Sequence, residues 1–356
     1  LKKENIMARE QVLGGRGGGG DAAAPAALLL EQGYQVTGCL LRLHSDPENY
    51  AQAAADAQAV ADKLGIPLLQ ADYSTLFHQQ VMDYFARSYQ AGLTPNPCIQ
   101  CNRYVKFVTL CREADAIGAR YIATGHYALT ASGSGGRTAL LRGADQQKDQ
   151  SYFLYPLSQE VLGRLLLPVG GLTKAQVRQL AEERGLVNAR KRDSQDICFI
   201  PDGDYGAVLA SWGAVSQPGN FQDIQGHILG QHQGLERYTI GQRRGLGVSG
   251  GRPLYVVRKD LAINAVILGD ETDLYSRTVW AEDFQWVSLP PQAAPLAVTA
   301  KTRYSQSEAA AILYPMDGNR VRVVFDTPQR AVTPGQSLVV YVGDAVTGGG
   351  IISRGE

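Results

Sequence analysis

The stretch Gln11–Leu43, QVLGGRGGGGDAAAPAALLLEQGYQVTGCLLRL, decides the fold class. Gln11–Leu13 reads as a short strand, Gly14–Gly20 as a glycine-rich loop, Asp21–Gln32 as a helix stopped by Gly33, and Tyr34–Leu43 as a second strand. The pattern repeats, with an alanine-rich helix over Tyr50–Leu64 closed by Gly65 and a third strand over Ile66–Ala71. Strands alternating with helices argue for an α/β domain with a mainly parallel sheet, because parallel strands need helical crossovers. A glycine loop between strand and helix suits phosphate, since bare N–H groups and the helix N-terminus converge on it. It lacks the G-K-[ST] ending of a Walker A loop and the spacing of a dinucleotide fingerprint. Glycine content alone leaves a phosphate cradle and a merely flexible turn equally open.

Working outward, Ser74–Gln90 reads as a helix whose Leu76, Phe77, Val81, Tyr84 and Phe85 form a core stripe. Then TPNPCIQCNRYVKF, Thr94–Phe107, sets Cys98 and Cys101 in a proline-punctuated loop ahead of a helix over Asn102–Ile117. In that helix Cys111 shares the apolar positions and is expected to be buried and structural. The strand Tyr121–Thr124 ends in Gly125, His126 and Tyr127. A histidine there is either packed and hydrogen-bonded or placed where parallel sheets bind ligands. Thr138–Leu141 fits a hairpin arm, and Lys148–Ser151 precede the aromatic Tyr152, Phe153 and Tyr155. Thr173 and Gln176 form a capping box for a helix reaching Arg184, with Gly185 as its stop. The basic run Arg190–Arg192 precedes Cys198, either as solvated surface or as a steering patch for a phosphate backbone. Beyond Pro201 the texture becomes glycine-rich, and GQRRGLG places Arg243 and Arg244 in a loop. From Tyr275 on, the runs Thr278–Ala281, Ala297–Tyr304, Val321–Phe325 and Ser337–Val342 suggest a small antiparallel barrel.

With 356 residues the chain is too long for one core and calls for two or three domains. Its 34 basic and 34 acidic residues cancel, so any nucleic-acid site has to be a local patch. Five cysteines spread over this length do not read as a disulfide framework and suit a reducing cytosol. The start LKKENIMARE lacks an apolar signal core, and no run reaches the length of a membrane span, so a cytoplasmic protein is expected.

Several ordered motifs together resemble the bacterial tRNA-specific 2-thiouridylase family. They are the loop with Cys101, ATGHYA at Ala123–Ala128, KDQSYFL at Lys148–Leu154, DSQDICFIPDGDY at Asp193–Tyr205, HQGLERYTIGQRRGLG at His232–Gly247 and TPQRAVTPGQSLVVY at Thr327–Tyr341. The resemblance spans nearly the whole chain. It implies a PP-loop (adenine nucleotide alpha hydrolase-like) catalytic domain over 1–201, a small β-rich tRNA-binding domain over 202–273 and a C-terminal β-barrel over 274–356. The implied activity uses ATP and Mg2+ to adenylate the C2 oxygen of the wobble uridine in tRNA(Lys), tRNA(Glu) and tRNA(Gln), then replaces it with sulfur. Cys198 matches the cysteine that carries the sulfur as a persulfide, received from a donor or relay protein. Cys101 matches the one that assists release, leaving a Cys101–Cys198 disulfide. Gly15, Arg16, Gly17, Gly18, Gly19, Gly20, Asp21, Ala22, Leu41 and Gly125 would contact ATP. Asn96, Pro97 and Cys98 would surround the target base, and His126, Lys148, Asp149, Gln150, Arg303, Tyr304 and Gln336 would touch the tRNA.

The chain departs from that family in two places. Gly17, Gly20, Ala22 and Ala23 stand where serine, valine and two serines are expected, and the lost hydroxyls, each worth roughly 0.5–1.5 kcal/mol, predict weakened or abolished ATP use. Cys98 stands where some members carry an aspartate proposed for acid/base work. Two rival readings remain: a tRNA-binding pseudoenzyme with a dead ATP loop, and a zinc or iron–sulfur thiolase using Cys98 and Cys101 with Cys111 or Cys198. A single C-x-x-C is a weak metal signal, because closed sites use four ligands at paired spacing.

Overall fold

The structure, a computed structural model, describes residues 10–16, 23–44, 47–186, 197–200, 205–212, 216–248 and 251–356. The chain divides into two compact units, one of residues 1–80 and 99–199, the other of 81–98 and 200–356.

The first unit is built on a parallel five-stranded sheet. Its strands are β1 (Gln11–Arg16), β2 (Gln35–Arg42), β3 (Leu68–Asp72) and β4 (Tyr121–Ala123), followed after the β5–β6 hairpin (Ala128–Ser132, Thr138–Arg142) by β7 (Leu165–Leu166). The order is β3-β2-β1-β4-β7. Val12 and Leu13 are fully buried and Val36, Cys39, Leu40 and Leu41 of β2 are buried, because helices cover both faces of such a sheet. The crossover helices Ala23–Glu31 and Pro47–Leu64 bury small residues, Ala23, Ala24, Ala27, Ala57 and Ala61, so they approach the strands closely. Pro25 sits in the first turn, where a helix has no internal partner for an N–H. Gly33 and Gly65 end these helices with φ of 89° and 65°.

β1 is longer than its sequence suggests. It runs through Gly14 and Gly15 to Arg16, paired with Gly38–Leu40 on one side, and Gly14 also pairs with Ala123 on the other. Two flanking ladders override the weak strand preference of glycine. Gly15 is also required for packing, since a Cβ there would lie 2.6 Å from Leu110 Cδ1 of the helix Phe107–Ala116. The expected helix over Ser74–Gln90 is present as Ser74–Phe77, a π-helical turn over His78–Met82, and Asp83–Gln90, with Phe77, Val81 and Phe85 fully buried. The capping box of Thr173 and Gln176 is formed, starting the helix Lys174–Glu183. Cys111 is half-buried rather than buried, and burial raises its thiol pKa.

In the second unit, β8 (Gly219–Asp223), β9 (Ile228–His232), β10 (Tyr255–Asp260) and β11 (Ala265–Gly269) form a mixed sheet in the order β10-β11-β8-β9. Phe221, Tyr238, Leu246, Val256, Val266 and Leu268 make its core. The C-terminal strands are β12 (Tyr275–Trp286), β13 (Leu296–Lys301), β14 (Ala309–Met316), β15 (Arg320–Arg330), β16 (Ser337–Val342) and β17 (Ala345–Gly355). They pair antiparallel in the order β12-β15-β14-β13-β16-β17, and β12 pairs with β17 to close a six-stranded barrel. Closure removes the open edges that a sheet would otherwise expose. β17 carries AVTGGG, which does not read as a strand. Its glycines serve the seam, because a Cβ at Gly348 would lie 2.4 Å from the Gln285 carbonyl oxygen of β12. Among the described residues no helix is long and apolar enough to cross a membrane.

The Gly15–Leu110 contact gives a direct test of the packing. Gly15→Ala should destabilise the protein by about 1–3 kcal/mol through overpacking. In the background of Leu110→Ala the same change should cost clearly less. Denaturant melts of the four proteins check this, and strictly additive costs would contradict the contact.

Candidate functional site

The chain leaves β1 towards β2 on one side and returns to β4 on the other, so the crevice at their C-terminal ends is where an open α/β sheet binds ligands. Gly14, Gly15, Ala23, Cys39, Ala123 and Thr124 are among the residues lining a cavity there. Leu29, Val60, Ile66 and Leu68 also line it, so its inner wall is apolar side chain and the backbone of Gly14 and Gly15 forms only part of its rim. Burial, with a further push from the Glu113 carboxylate, raises the Cys39 thiol to about 12, so it contributes volume rather than a thiolate. Leu41 is buried at the end of β2, and Gly125 follows β4 directly. Gly17, Gly18, Gly19, Gly20, Asp21 and Ala22 lie outside the described residues, as does the side chain of Arg16.

Beyond β4, Thr124 Oγ1 and His126 Nδ1 are 2.8 Å apart, and the imidazole packs at 5.7 Å from the Phe107 ring. Desolvation, then the Lys106 charge, holds His126 well below its ordinary pKa, so it is neutral. Tyr127 and Gln150 exchange two hydrogen bonds: Tyr127 N donates to Gln150 Oε1 (3.0 Å) and Gln150 N to the Tyr127 carbonyl (2.8 Å). Asp149 is buried and accepts from Gly143 N, Ser151 N and Ser151 Oγ at 2.8–3.0 Å. Asp149 and Gln150 therefore hold the turn that carries the half-buried Lys148. Asn102 Nδ2 donates to the Phe153 carbonyl (2.9 Å), tying the residue after Cys101 to the helix Ser151–Leu154.

Of the two thiols expected to react, Cys101 is buried and Cys198 exposed. Phe199, next to Cys198, packs edge-on against Phe77 at 5.7 Å, and Phe77 lies 6.3 Å from His44. His44 and Phe77 follow the C-terminal ends of β2 and β3, so Cys198 stands at the ligand edge of the sheet. Arg190–Arg192 and Asp193–Asp196 lie outside the described residues.

The TPNPC segment corrects one expectation. Cys98 and Cys101 are not in a loop before a helix, because Pro97–Cys101 is itself helical and runs into a π-helical turn over Asn102–Lys106. Proline opens the helix at a position that needs no N–H, and Asn96 Oδ1 caps it by accepting from Cys98 N (3.2 Å). Cys98 is exposed and Cys101 buried. The segment is clasped from the barrel by Thr333–Gln336: Thr94 N donates to the Pro334 carbonyl and Gln336 Nε2 to the Thr94 carbonyl, both at 2.9 Å. Gly335, at φ 92°, permits this approach, since a Cβ there would lie 2.8 Å from Thr94 N. Arg303 Nη2 donates to the carbonyls of Arg330 (2.9 Å) and Ala331 (3.4 Å), and Tyr304 is exposed. Thr94, Asn102, Thr124 and Gly335 were not singled out as site residues, although each falls within a quoted motif, TPNPCIQCN, ATGHYA or TPGQ. Among the described residues no three His, Cys, Asp or Glu side chains form a metal-sized cluster.

Three family models match in sequence: a tRNA methyl transferase HUP domain over 10–202, a tRNA methyl transferase PRC-barrel domain over 208–270 and an aminomethyltransferase β-barrel domain over 276–352. The chain is 47% identical over 358 residues to the tRNA-specific 2-thiouridylase MnmA of Acetivibrio thermocellus, covering 97% of this chain and 100% of that protein. It is 48% identical over 343 residues to its namesake in Moorella thermoacetica, covering 92% and 95%.

Gly335→Ala should cost about 1–3 kcal/mol, from the positive φ and the contact with Thr94. It should also speed hydrogen exchange at the Thr94 amide well beyond its effect on barrel amides. Equal acceleration throughout the barrel would mean that the clasp is not a local device.

Proposed function

The chain belongs to the tRNA-specific 2-thiouridylase family, and from that premise we propose how its residues make 2-thiouridine at the wobble position of tRNA(Lys), tRNA(Glu) and tRNA(Gln). The enzyme is an ATP-dependent tRNA sulfurtransferase. The observation that carries the residue assignment is the unequal exposure of the two thiols, Cys101 buried and Cys198 exposed at the ligand edge of the parallel sheet.

ATP is a substrate held at the β1–β4 crevice by Gly15–Ala22, Leu41 and Gly125, and Mg2+ supplies charge neutralisation on its phosphates. The uridine C2 oxygen attacks the α-phosphorus, pyrophosphate leaves and the N3 proton is lost, so that a poor leaving group becomes AMP. Cys198 receives a sulfane sulfur from a persulfide donor or relay protein, for which its exposure is suited. The terminal sulfur then bonds to C2. The Cys101 thiolate attacks the Cys198 sulfur, the S–S bond of the persulfide breaks, and its electron pair forms the thiocarbonyl as AMP departs and N3 regains a proton. A Cys101–Cys198 disulfide remains, and an external thiol reductant returns two electrons to it.

Asn96, Pro97 and Cys98 form the wall for the flipped base, on a turn stiffened by two buried prolines, Pro95 and Pro97. His126, Lys148, Asp149, Gln150, Arg303, Tyr304 and Gln336 serve the tRNA. Asp149 does so indirectly, since its carboxylate is engaged by Gly143 and Ser151. We assign the catalytic, central tRNA-binding and barrel domains to 1–201, 202–273 and 274–356, and place the reaction in the reducing cytoplasm, where the disulfide can be recycled.

Two experiments test this reading. Incubated with ATP, unmodified tRNA and a persulfide donor, Cys198→Ala should lose thiolation while still forming pyrophosphate, and Cys101→Ala should accumulate sulfur on Cys198. Thiolation by Cys198→Ala at the wild-type rate would overturn the scheme. Restoring serine, valine, serine and serine at Gly17, Gly20, Ala22 and Ala23 should raise pyrophosphate formation by at least tenfold, consistent with several hydroxyl contacts of about 0.5–1.5 kcal/mol each. No adenylation in either protein would favour the pseudoenzyme.

A further inference from the structure

The scheme above gives the central domain to tRNA but assigns a role to no residue of its GQRRGLG loop. Gln242 organises it: Thr239 N donates to Gln242 Oε1 (3.1 Å), Gln242 Nε2 to the Arg244 carbonyl (3.0 Å), and Val256 N to the Gln242 carbonyl (2.9 Å). Gly241 N closes the base by donating to the Val256 carbonyl at 2.8 Å. Gly241, Gly245 and Gly247 all take positive φ, at 89°, 74° and 69°, and Leu246 plugs into the core of the mixed sheet. The loop is thus held at several backbone points, and what it presents outward is Arg243 and Arg244, both exposed.

Their neighbours in sequence are neutralised. Arg237 faces Glu236, Arg252 pairs with Asp270 and Arg258 with Asp260. Among the described residues no carboxylate pairs with Arg243 or Arg244. Two exposed arginines adjacent in sequence on a pinned loop concentrate positive charge, and an anion with several acceptor oxygens can engage such planar donors.

The position of the loop identifies the anion. Gly241 packs on Ala331, its Cβ position 2.9 Å from that of Ala331, with Arg330 Nη1 at 3.7 Å. Ala331 and Arg330 also supply the carbonyls that hold Arg303, next to the exposed Tyr304. The same segment continues into Thr333–Gln336, the clasp on Thr94 ahead of Asn96–Cys98. One backbone segment therefore borders the arginine loop, the Arg303–Tyr304 turn and the support of the base-binding turn.

We propose that Arg243 and Arg244 form a phosphate-backbone clamp for tRNA, continuous with the Arg303 turn, which anchors the RNA while its wobble base is presented at Asn96–Cys98. This rests on the 2-thiouridylase reading. The clamp acts through charge and planar guanidinium geometry, reads no base and is blind to the anticodon. In a chain with no net charge, it supplies a local patch.

The test is the salt dependence of tRNA binding. Dissociation constants for an unmodified transcript with a wobble uridine, and for one with a wobble cytidine, are measured from low to physiological salt. The double variant Arg243→Gln/Arg244→Gln should bind both transcripts more weakly by the same factor. It should flatten the slope of log K against log [salt] by roughly 0.7–0.9 per arginine. Arg243→Lys/Arg244→Lys should regain most of the slope, and the melting temperature should stay unchanged. An unchanged slope in the glutamine variant, or a loss confined to the uridine transcript, overturns the clamp. That result would leave the loop to an acidic protein partner or to base recognition. Wild-type protein that binds neither transcript refutes the 2-thiouridylase reading itself, and the clamp with it.

Discussion

The chemistry of the first unit depends on the two parallel ladders that flank β1. Both pair through Gly14, and the β2 ladder alone carries the strand on through Gly15 to Arg16, although glycine disfavours strands, and so brings the backbone up to the crevice before it turns. The same ladders set where β2 and β4 end, and hence where Leu41, Thr124, Gly125 and His126 stand. The absence of a side chain at Gly15 lets Leu110 close over the strand, which brings in the helix continuing from Cys101. One packing requirement thereby places both the crevice proposed for the nucleotide and the thiol proposed to release sulfur.

In the second unit the comparable device is the clasp of Thr333–Gln336 on Thr94. Two hydrogen bonds of 2.9 Å, each worth about 0.5–1.5 kcal/mol net, are modest, but both fall on the backbone of one residue. With Pro95 and Pro97 fixing φ on either side of Asn96, little freedom remains in the turn. Gln336 thereby supports the turn proposed for the target base by holding the Thr94 backbone. Asp149 shows the same economy, as a buried carboxylate accepting three hydrogen bonds and supporting the turn that carries Lys148.

The unequal exposure of the thiols has a chemical consequence. In the proposed scheme a persulfide carrier has to meet an external donor, and Cys198 is exposed; a resolving thiol benefits from protection against other oxidants, and Cys101 is buried. Cys39, raised to about 12 by burial and the Glu113 carboxylate, stays out of this exchange because almost none of it is thiolate at neutral pH.

Taken alone, the sequence determined the α/β class, the barrel, the capping box at Thr173 and the family, because each is carried by local periodicity or by motifs of fixed spacing. It misread Cys98 and Cys101 as loop residues, since Pro97 looks like a break and acts instead as the first residue of a helix capped by Asn96. It also missed β17, whose glycines are needed for closure against β12 and disguise the strand. Only the tertiary structure decided that Gln336 holds Thr94, that Asn102 holds Phe153, and that the exposed Arg243–Arg244 loop, paired with no carboxylate among the described residues, lies beside the Ala331 segment. Those contacts join residues far apart in the chain, and no local pattern encodes which distant carbonyl a side chain will meet.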